Sequence, residues 1–583
     1  TAARRVLRIE AEAIRRLTDE PYDGLVRTNE KLYHLLTLGT SLDQTIEGDR
    51  KGRSLKYIDW EHPEKNVYHV SAEFAVERSK SHDTRRPDLV LFVNGIPFVV
   101  IECKRRDKDA QAGKRQIDVA VEQLIGYQKD EEIPKLFQYA QLLLATSVND
   151  TLYGTIGTAK KFWGVWREEG QHDQAVHATS NQRLPAEIEA KVFAPLETRH
   201  ADAYREARKH FDALWVAGDR LPTAQDRTLW ATLRPQRLLE LIYGYVLFDA
   251  GVRKIARYQQ YFAVRATVNK VSVLREGRRA GGVVWHTTGS GKSLTMVMLA
   301  KALALHPDVT NPRIVLVTDR IDLDDQIWRT FEACGKSAER AKTGEHLMRL
   351  ITEGKASVIT TVIDKFATVK GKHGITDPNP NIFVLVDEGH RTNYGTIAAM
   401  MRRVFPNACY IGFTGTPLLK TEKNTAQKFG GFVHNYTMRE AVEDRAVVPL
   451  LYEGRMALLE QNKEAMQRWF ERLTEKLSNE QKADLKRKMA TKEVIQKAEQ
   501  RIKVIAFDIS SHYRDNFQGT GLKAQFATDS RASAILYRRF FNEFGIVSSD
   551  VIMSQPDLRE GGESTEEEDT PLVNQFWTEM MKR

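Results

Sequence analysis

The stretch GGVVWHTTGSGKS, residues 281–293, decides the fold. A short apolar run, a glycine-rich turn and a Lys-Ser pair opening an apolar helix give the strand-loop-helix order that a phosphate-binding loop requires. Gly289 and Gly291, flanking Ser290, let successive backbone N–H groups converge on phosphate oxygens at a helix N-terminus. Lys292 would then reach the β and γ phosphates of ATP, and the Ser293 hydroxyl would ligate Mg²⁺. His286 stands where the usual pattern has its first glycine. A glycine-rich turn with an incidental lysine is the bland alternative.

Working outward, apolar runs alternate with helical segments from about residue 236: PRIVLVTDR, ASVITTV, NIFVLVDEGH and ACYIGFTGTP follow the loop in turn. That alternation predicts a parallel sheet covered by helices, and the span resembles one RecA-like domain. Asp387 and Glu388 end NIFVLV, at the carboxyl end of a buried strand, where α/β sheets place their ligands. Asp387 is expected to serve Mg²⁺ and Glu388 to orient the attacking water. A solvated turn is the alternative for such acids taken alone.

The N-terminal part has a different grammar. Residues 1–45 read as two helices, and strands are expected at about 66–73, 88–93 and 96–103, the last two joined by Asn94-Gly95, a strong hairpin signal. A helix is expected over 114–128 and a buried strand over 141–147, whereas 165–235 shows little periodicity. Asp88 follows Pro87, and Glu102-Cys103-Lys104 closes the third strand. Side chains two apart on a strand share a face, so Glu102 and Lys104 point together. Hydrolysis of a phosphodiester calls for a hard cation on carboxylate oxygens and a nearby ammonium. Asp88, Glu102 and the Cys103 carbonyl are therefore assigned to Mg²⁺, and Lys104 to water and the scissile phosphate. A turn residue beside a surface ion pair is the alternative. A strict two-residue hairpin pairs 89 with 100 and puts Asp88 on the face opposite Glu102. A metal site therefore requires an irregularity between 88 and 102, and a regular hairpin would sink it.

Composition sets the bounds. A chain of 583 residues, 42% hydrophobic and 28% charged, is a multidomain globular protein with a net charge of +9 that suits a polyanion. Cys103, Cys334 and Cys409 lie too far apart for a zinc knuckle or a disulfide framework, which fits a reducing cytoplasm. No run approaches a membrane span, and the start lacks a signal-peptide core. Residues 456–502 read as a helical bridge, 523–541 as a strand and helix opening a further domain, and 558–569 as an acidic loop. The expected divisions are 1–235, 236–450 and 451–583. The missing initiator Met reads as an excerpt of a longer product.

The motor block resembles superfamily 2 helicases of the DEAD/DEAH type. Arg257-Tyr258-Gln259 resembles the segment that reads adenine, with Gln259 pairing to the base. Thr318-Asp319-Arg320 and Thr360-Thr361 resemble DNA-facing motifs, and Thr414-Gly415-Thr416-Pro417 the motif that couples ATP state to DNA. The segment RRPDLVLFVNGIPFVVIECKR resembles the PD-(D/E)xK nuclease core of type I restriction enzyme motor subunits, and Gln123 and Tyr127 match the Gln-x-x-x-Tyr motif on its following helix. These two share a helix face, within reach of DNA backbone or active site; a core Tyr with a surface Gln is the alternative. Lys104, Arg105, Arg106, Lys108, Lys114 and Arg115 could bind phosphates, or form a solvated face. In this family the nuclease precedes the motor; in type III subunits it follows.

The resemblance implies an α/β multidomain chain, a mixed-sheet nuclease followed by RecA-like domains. It implies an ATP-driven translocase on double-stranded DNA that cleaves remote from its recognition sequence, together with methyltransferase and specificity subunits. Asp529-Ser530-Arg531 resembles an early motif of a second motor domain, but no Gln-x-x-Gly-Arg-like block follows, so a C-terminal truncation with poor ATP hydrolysis is expected. The competing readings are a free-standing DNA-repair helicase-nuclease and a nucleotide-switched DNA-binding scaffold.

Overall fold

The computed structural model describes residues 2–46, 49–105, 115–194, 201–318, 321–335, 337–354, 356–363, 365–368, 376–387, 394–415, 429–455, 478, 499–553 and 571–582. The chain forms two compact units, Thr1–Pro449 and Leu450–Arg583.

In the first unit the expected N-terminal helices form at Ala2–Thr18 and at α1, Leu25–Leu38. A five-stranded sheet follows, built from β1 (Tyr68–Ala72), β2 (Leu89–Val93), β3 (Ile96–Cys103), β4 (Leu142–Thr146) and β5 (Thr151–Gly154). Its spatial order is the chain order, and only β3 and β4 run parallel. The connection between those two carries α2, Gln116–Tyr127, whose Ile117, Ala120, Val121, Leu124 and Tyr127 are buried at helical spacing. The β2–β3 turn uses Asn94 (φ 51°) and Gly95 (φ 80°), both left-handed, as a two-residue hairpin of this twist demands. The Asn94 side chain secures it, accepting from Val67 N at 2.7 Å and donating to Asn66 Oδ1 at 2.9 Å.

The required irregularity is present. Phe92 pairs with Pro97 but Leu91 pairs with Val99, so Phe98 is an extra residue on β3. The bulge leaves no backbone acceptor stranded, because Gln141 N donates to Phe98 O at 2.8 Å. Beyond it Leu89 pairs with Ile101, which continues to Asp88 opposite Glu102.

The second sheet has β6 (Gly282–His286), β7 (Arg313–Thr318), β8 (Glu339–Arg340), β9 (Val358–Val362), β10 (Ile382–Asp387), β11 (Cys409–Thr414) and β12 (Phe432–Tyr436). The order is β8-β9-β7-β10-β11-β6-β12, and every pairing is parallel. Strands covered on both faces read as unbroken apolar runs, as the five quoted segments do. β8 has two residues, and β12 (FVHNY) alternates, with Phe432 exposed and His434 buried, so neither shows that signature. Helix α3 (Tyr258–Val271) packs against α4 (Lys292–Leu305), the helix that follows the glycine-rich loop.

Buried polar bonds tie the first sheet and its helices to the segment ahead of the phosphate loop. Tyr33 Oη on α1 donates to Ile242 O at 3.0 Å, and Tyr153 Oη on β5 donates to Ala256 O at 2.8 Å. Arg253, 1% exposed, donates to Gln141 Oε1 at 2.6 Å and to Asn29 Oδ1. Burial lowers its pKa to about 10.

Some expectations fail. A hairpin at Thr40–Ile46 and Asp49–Leu55 carries too many polar residues to announce itself. The aperiodic 165–235 stretch holds four helices, among them Ala201–Ala217, which has no buried residue and so no apolar stripe demanded by packing. In the second unit, the helices Glu499–Asn516 and Arg531–Phe544 pack through Ile502, Ala506, Tyr537, Phe540 and Phe541. The strand expected ahead of the second helix does not form. Residues 523–527 are exposed, and no strand is described in this unit to pair with them. Nearly all of 456–502, and 558–569 entirely, lie outside the described residues. No helix among those described is long and apolar enough to cross a membrane.

Arg253→Ala is expected to destabilise the first unit by about 3 kcal/mol, because Asn29 and Gln141 would be left buried without their donor. Urea denaturation of the variant beside wild type measures this, and an unchanged midpoint would show that the buried cluster contributes little.

Candidate active sites

At the first site, the bulge places two carboxylates at one strand end. Cys103 N donates to Asp88 Oδ2 at 2.7 Å, and Lys104 Nζ donates to Glu102 Oε1 at 2.8 Å. Glu102 is 1% exposed and its Oε2 has no hydrogen-bond partner among the described residues. This is not the surface ion pair of the bland alternative. Burial raises the Glu102 pKa to about 7 against the pull of Lys104, and the neighbouring Asp88 charge adds to the rise. An unpartnered carboxylate oxygen in that setting fits a cation, which would offset the charge that burial penalises. Among the described residues no group of three or more His, Cys, Asp or Glu forms a metal cluster, so the side-chain ligands available there are two carboxylates.

Gln123 and Tyr127 belong to the same cluster. Gln123 Nε2 donates to Tyr127 Oη at 2.6 Å, and the phenol pKa is raised by burial and by the charges of Glu102 and Asp88. Tyr127 is a core residue as well, 8% exposed and tilted against Phe137. Arg85, which the motif did not indicate, also lies near the phenol and is held by Glu132 through bonds of 2.7 and 3.1 Å. Lys104, Arg105 and Arg115 are described, whereas Arg106, Lys108 and Lys114 lie outside the described residues.

The second site gathers at the carboxyl ends of the central strands, where β6, β10 and β11 deliver the loop, Asp387 and Thr414 side by side. Gly289 (φ 85°) and Gly291 (φ 88°) are left-handed, and a Cβ on Gly291 would meet Gln260 Nε2 at 2.7 Å. The Ser290 hydroxyl oxygen is buried and unpartnered. Lys292 and Ser293 open α4, as the loop pattern requires. A Cβ on Gly415 would meet Lys292 Nζ at 2.7 Å, so the Thr414-Gly415 turn touches the loop lysine directly. Glu388, Thr416, Pro417, Asp319 and Arg320 lie outside the described residues.

Gln259 is 3% exposed with its Oε1 unpartnered, a buried acceptor suited to an amino group. Its neighbour Gln260 is a site residue the sequence reading missed. Gln260 accepts from Arg257 N at 2.9 Å and donates to Gly291 O at 3.1 Å, tying the Arg257-Tyr258-Gln259 segment to the phosphate loop. Consecutive glutamines at a helix start carry no sequence signal saying which one faces the loop.

Known proteins resemble both halves. Residues 2–162 match the family model described as type I restriction enzyme R protein N terminus, and 259–483 match SWI2/SNF2 ATPase. The chain is 30% identical over 535 residues to the type I restriction enzyme MjaIXP endonuclease subunit of Methanocaldococcus jannaschii, covering 90% of this chain and 48% of that one. It is 29% identical over 545 residues to the HindI endonuclease subunit of Haemophilus influenzae, covering 89% and 46%. The chain thus spans about half the length of these relatives. Among solved structures, the UvsW helicase of bacteriophage T4 matches 35% of this chain at 15% identity with a TM-score of 0.24. With an R-protein N terminus followed by a SWI2/SNF2 ATPase, the chain belongs to the type I restriction enzyme endonuclease subunits.

Proposed function

We propose that the chain carries the nuclease and the first motor domain of an ATP-dependent DNA translocase that cleaves double-stranded DNA remote from its recognition sequence. The observation that carries this reading is the Phe98 bulge, which sets Asp88 opposite Glu102 within the compact unit that also holds the phosphate loop. The proposed divisions are residues 1–235 for the nuclease and its connection, 236–450 for the motor domain and 451–583 for the helical bridge and an incomplete second motor domain. Methyltransferase and specificity subunits would supply sequence recognition, in the cytoplasm.

At the nuclease site Asp88 and Glu102 would hold Mg²⁺, which when bound supplies Lewis-acid stabilisation to the phosphate. Glu102 uses Oε1 to fix the Lys104 ammonium and keeps Oε2 for the ion. Cys103 N orients Asp88 through one carboxylate oxygen and leaves the other available. Lys104, held by a buried acceptor, offers its remaining N–H donors to water and to the negative charge that develops on the scissile phosphate. Gln123 braces Tyr127 against the carboxylates and can donate to the DNA backbone.

At the motor site Gly289, Ser290 and Gly291 would present backbone donors to ATP, with Lys292 on the β and γ phosphates and Gln259 on adenine. Ser293 and Asp387 would hold Mg²⁺, and Glu388 would orient water. Thr414 and Thr416 would pass the nucleotide state to DNA through the turn that touches Lys292.

In the full-length protein reconstituted with methyltransferase and specificity subunits, Lys104→Ala is expected to lower cleavage of circular DNA on the order of 10²-fold or more while ATP hydrolysis persists. Lys292→Ala should abolish both. Cleavage that survives Lys104→Ala would return that residue to an ion-pair role.

Glu102 also makes a stability prediction. Its folded pKa lies above its unfolded value, so the folded state binds the proton more tightly, and stability is lost as pH rises from about 4.5 through about 7. Without divalent ions, Glu102→Gln should therefore be more stable than wild type at pH 8, by about 2 kcal/mol, and the gain should vanish toward pH 4.5. Adding Mg²⁺ should narrow the gap at pH 8 by stabilising wild type alone. Thermal melts at the two pH values, with and without Mg²⁺, read this directly.

A further inference from the structure

The segment that follows the nuclease fold touches the motor through three consecutive side chains. Arg167 Nε donates to Asp444 at 2.6 Å, and Asp444 also accepts from Tyr258 Oη, in the adenine-side segment, at 2.6 Å. Glu168 accepts from both terminal nitrogens of Arg237 at 2.8 Å. Glu169 Oε1 lies 2.5 Å from His434 Nε2, and His434 Nδ1 lies 2.8 Å from His286 Nε2. His286 is the first residue of the phosphate loop and fully buried; His434 is 8% exposed.

The order of protons along this chain follows from Glu169. A carboxylate only accepts, so a neutral His434 carries its hydrogen on Nε2 and offers the Nδ1 lone pair, and His286 then donates from Nε2. His286 Nδ1 is left as a lone pair, buried and without a partner among the described residues. The Lys292 ammonium opposes protonation of the His286 ring. Without Glu169, His434 is released to place its hydrogen on Nδ1, which turns His286 Nε2 into the acceptor and moves the hydrogen to Nδ1, where a buried N–H finds no acceptor among the described residues.

We propose that Glu169 is a positioning residue for the nucleotide site, acting through His434 to fix the tautomer of His286 and thereby the phosphate loop. The proposal rests on the nucleotide-binding reading of residues 286–293.

The test is calorimetric titration of the present chain with Mg-ATP and Mg-ADP, for wild type, Glu169→Ala, Glu169→Gln, Lys292→Ala and the Glu169→Ala/Lys292→Ala double variant. Glu169→Ala should weaken both nucleotides about tenfold with an unchanged unfolding midpoint, in line with loss of a hydrogen bond to a charged group. Glu169→Gln, whose amide oxygen still accepts from His434, should restore most of the loss. In the Lys292→Ala background, where the phosphate contact is already lost, Glu169→Ala should add no further loss. Wild-type affinity in Glu169→Ala, or equal losses in the Ala and Gln variants, overturns the relay. Binding unaffected by Lys292→Ala overturns the nucleotide reading itself, and no binding by wild type overturns both.

Discussion

A β-strand turns successive side chains to opposite faces, and the whole proposed nuclease site hangs on that alternation. Asp88 and Glu102 sit on neighbouring strands joined by a two-residue turn, which in perfect register would separate them by the thickness of the sheet. The single extra residue Phe98 reverses the parity of everything between it and the end of β3. Its side chain is buried in the core while its carbonyl is satisfied by Gln141, so the irregularity is fastened on both its apolar and its polar side. Asp88, Glu102, Lys104 and the nearby Tyr127 inherit their common location from this one insertion.

Both sites keep polar groups where burial penalises them. Among the described residues Glu102 retains an oxygen without a partner, Ser290 a hydroxyl and Gln259 an amide oxygen. His286 is neutral because burial and the His434 and Lys292 neighbours push its pKa down to about 3. A fold selected for stability alone would pair such atoms or replace them with apolar ones. Their position at the carboxyl ends of two sheets, surrounded by well-packed strands, is what a rigid scaffold with sites awaiting ligands looks like in energetic terms.

Much of this was legible from the residues because the strongest periodicities belong to the strands that build the sites. The five apolar runs of the parallel sheet and the β2–β3 hairpin announce themselves, since a strand buried on both faces has no polar residue to blur it. Even the need for the bulge could be deduced, from parity, although not its location. What stayed hidden has identifiable causes. The 40–55 hairpin is mostly polar, and the helices Asp173–Ser180 and Ala201–Ala217 bury little of their own length, so no apolar pattern records them. Gln260, Glu169 and His434 act through contacts distant in sequence, and the apparent strand at 523–528 lacks partners in the described structure. A strand signal states only that a segment could pair.

The way the two halves of this unit are joined has a mechanical consequence. Tyr33, Tyr153 and Arg253 bond the first sheet and its helices to the segment ahead of the phosphate loop, inside an apolar cluster that reaches from one sheet to the other. Such a joint is continuous packing and not a hinge, since the same buried side chains belong to both parts. The strand end that carries Asp88 and Glu102 therefore belongs to the same packed body as the phosphate loop.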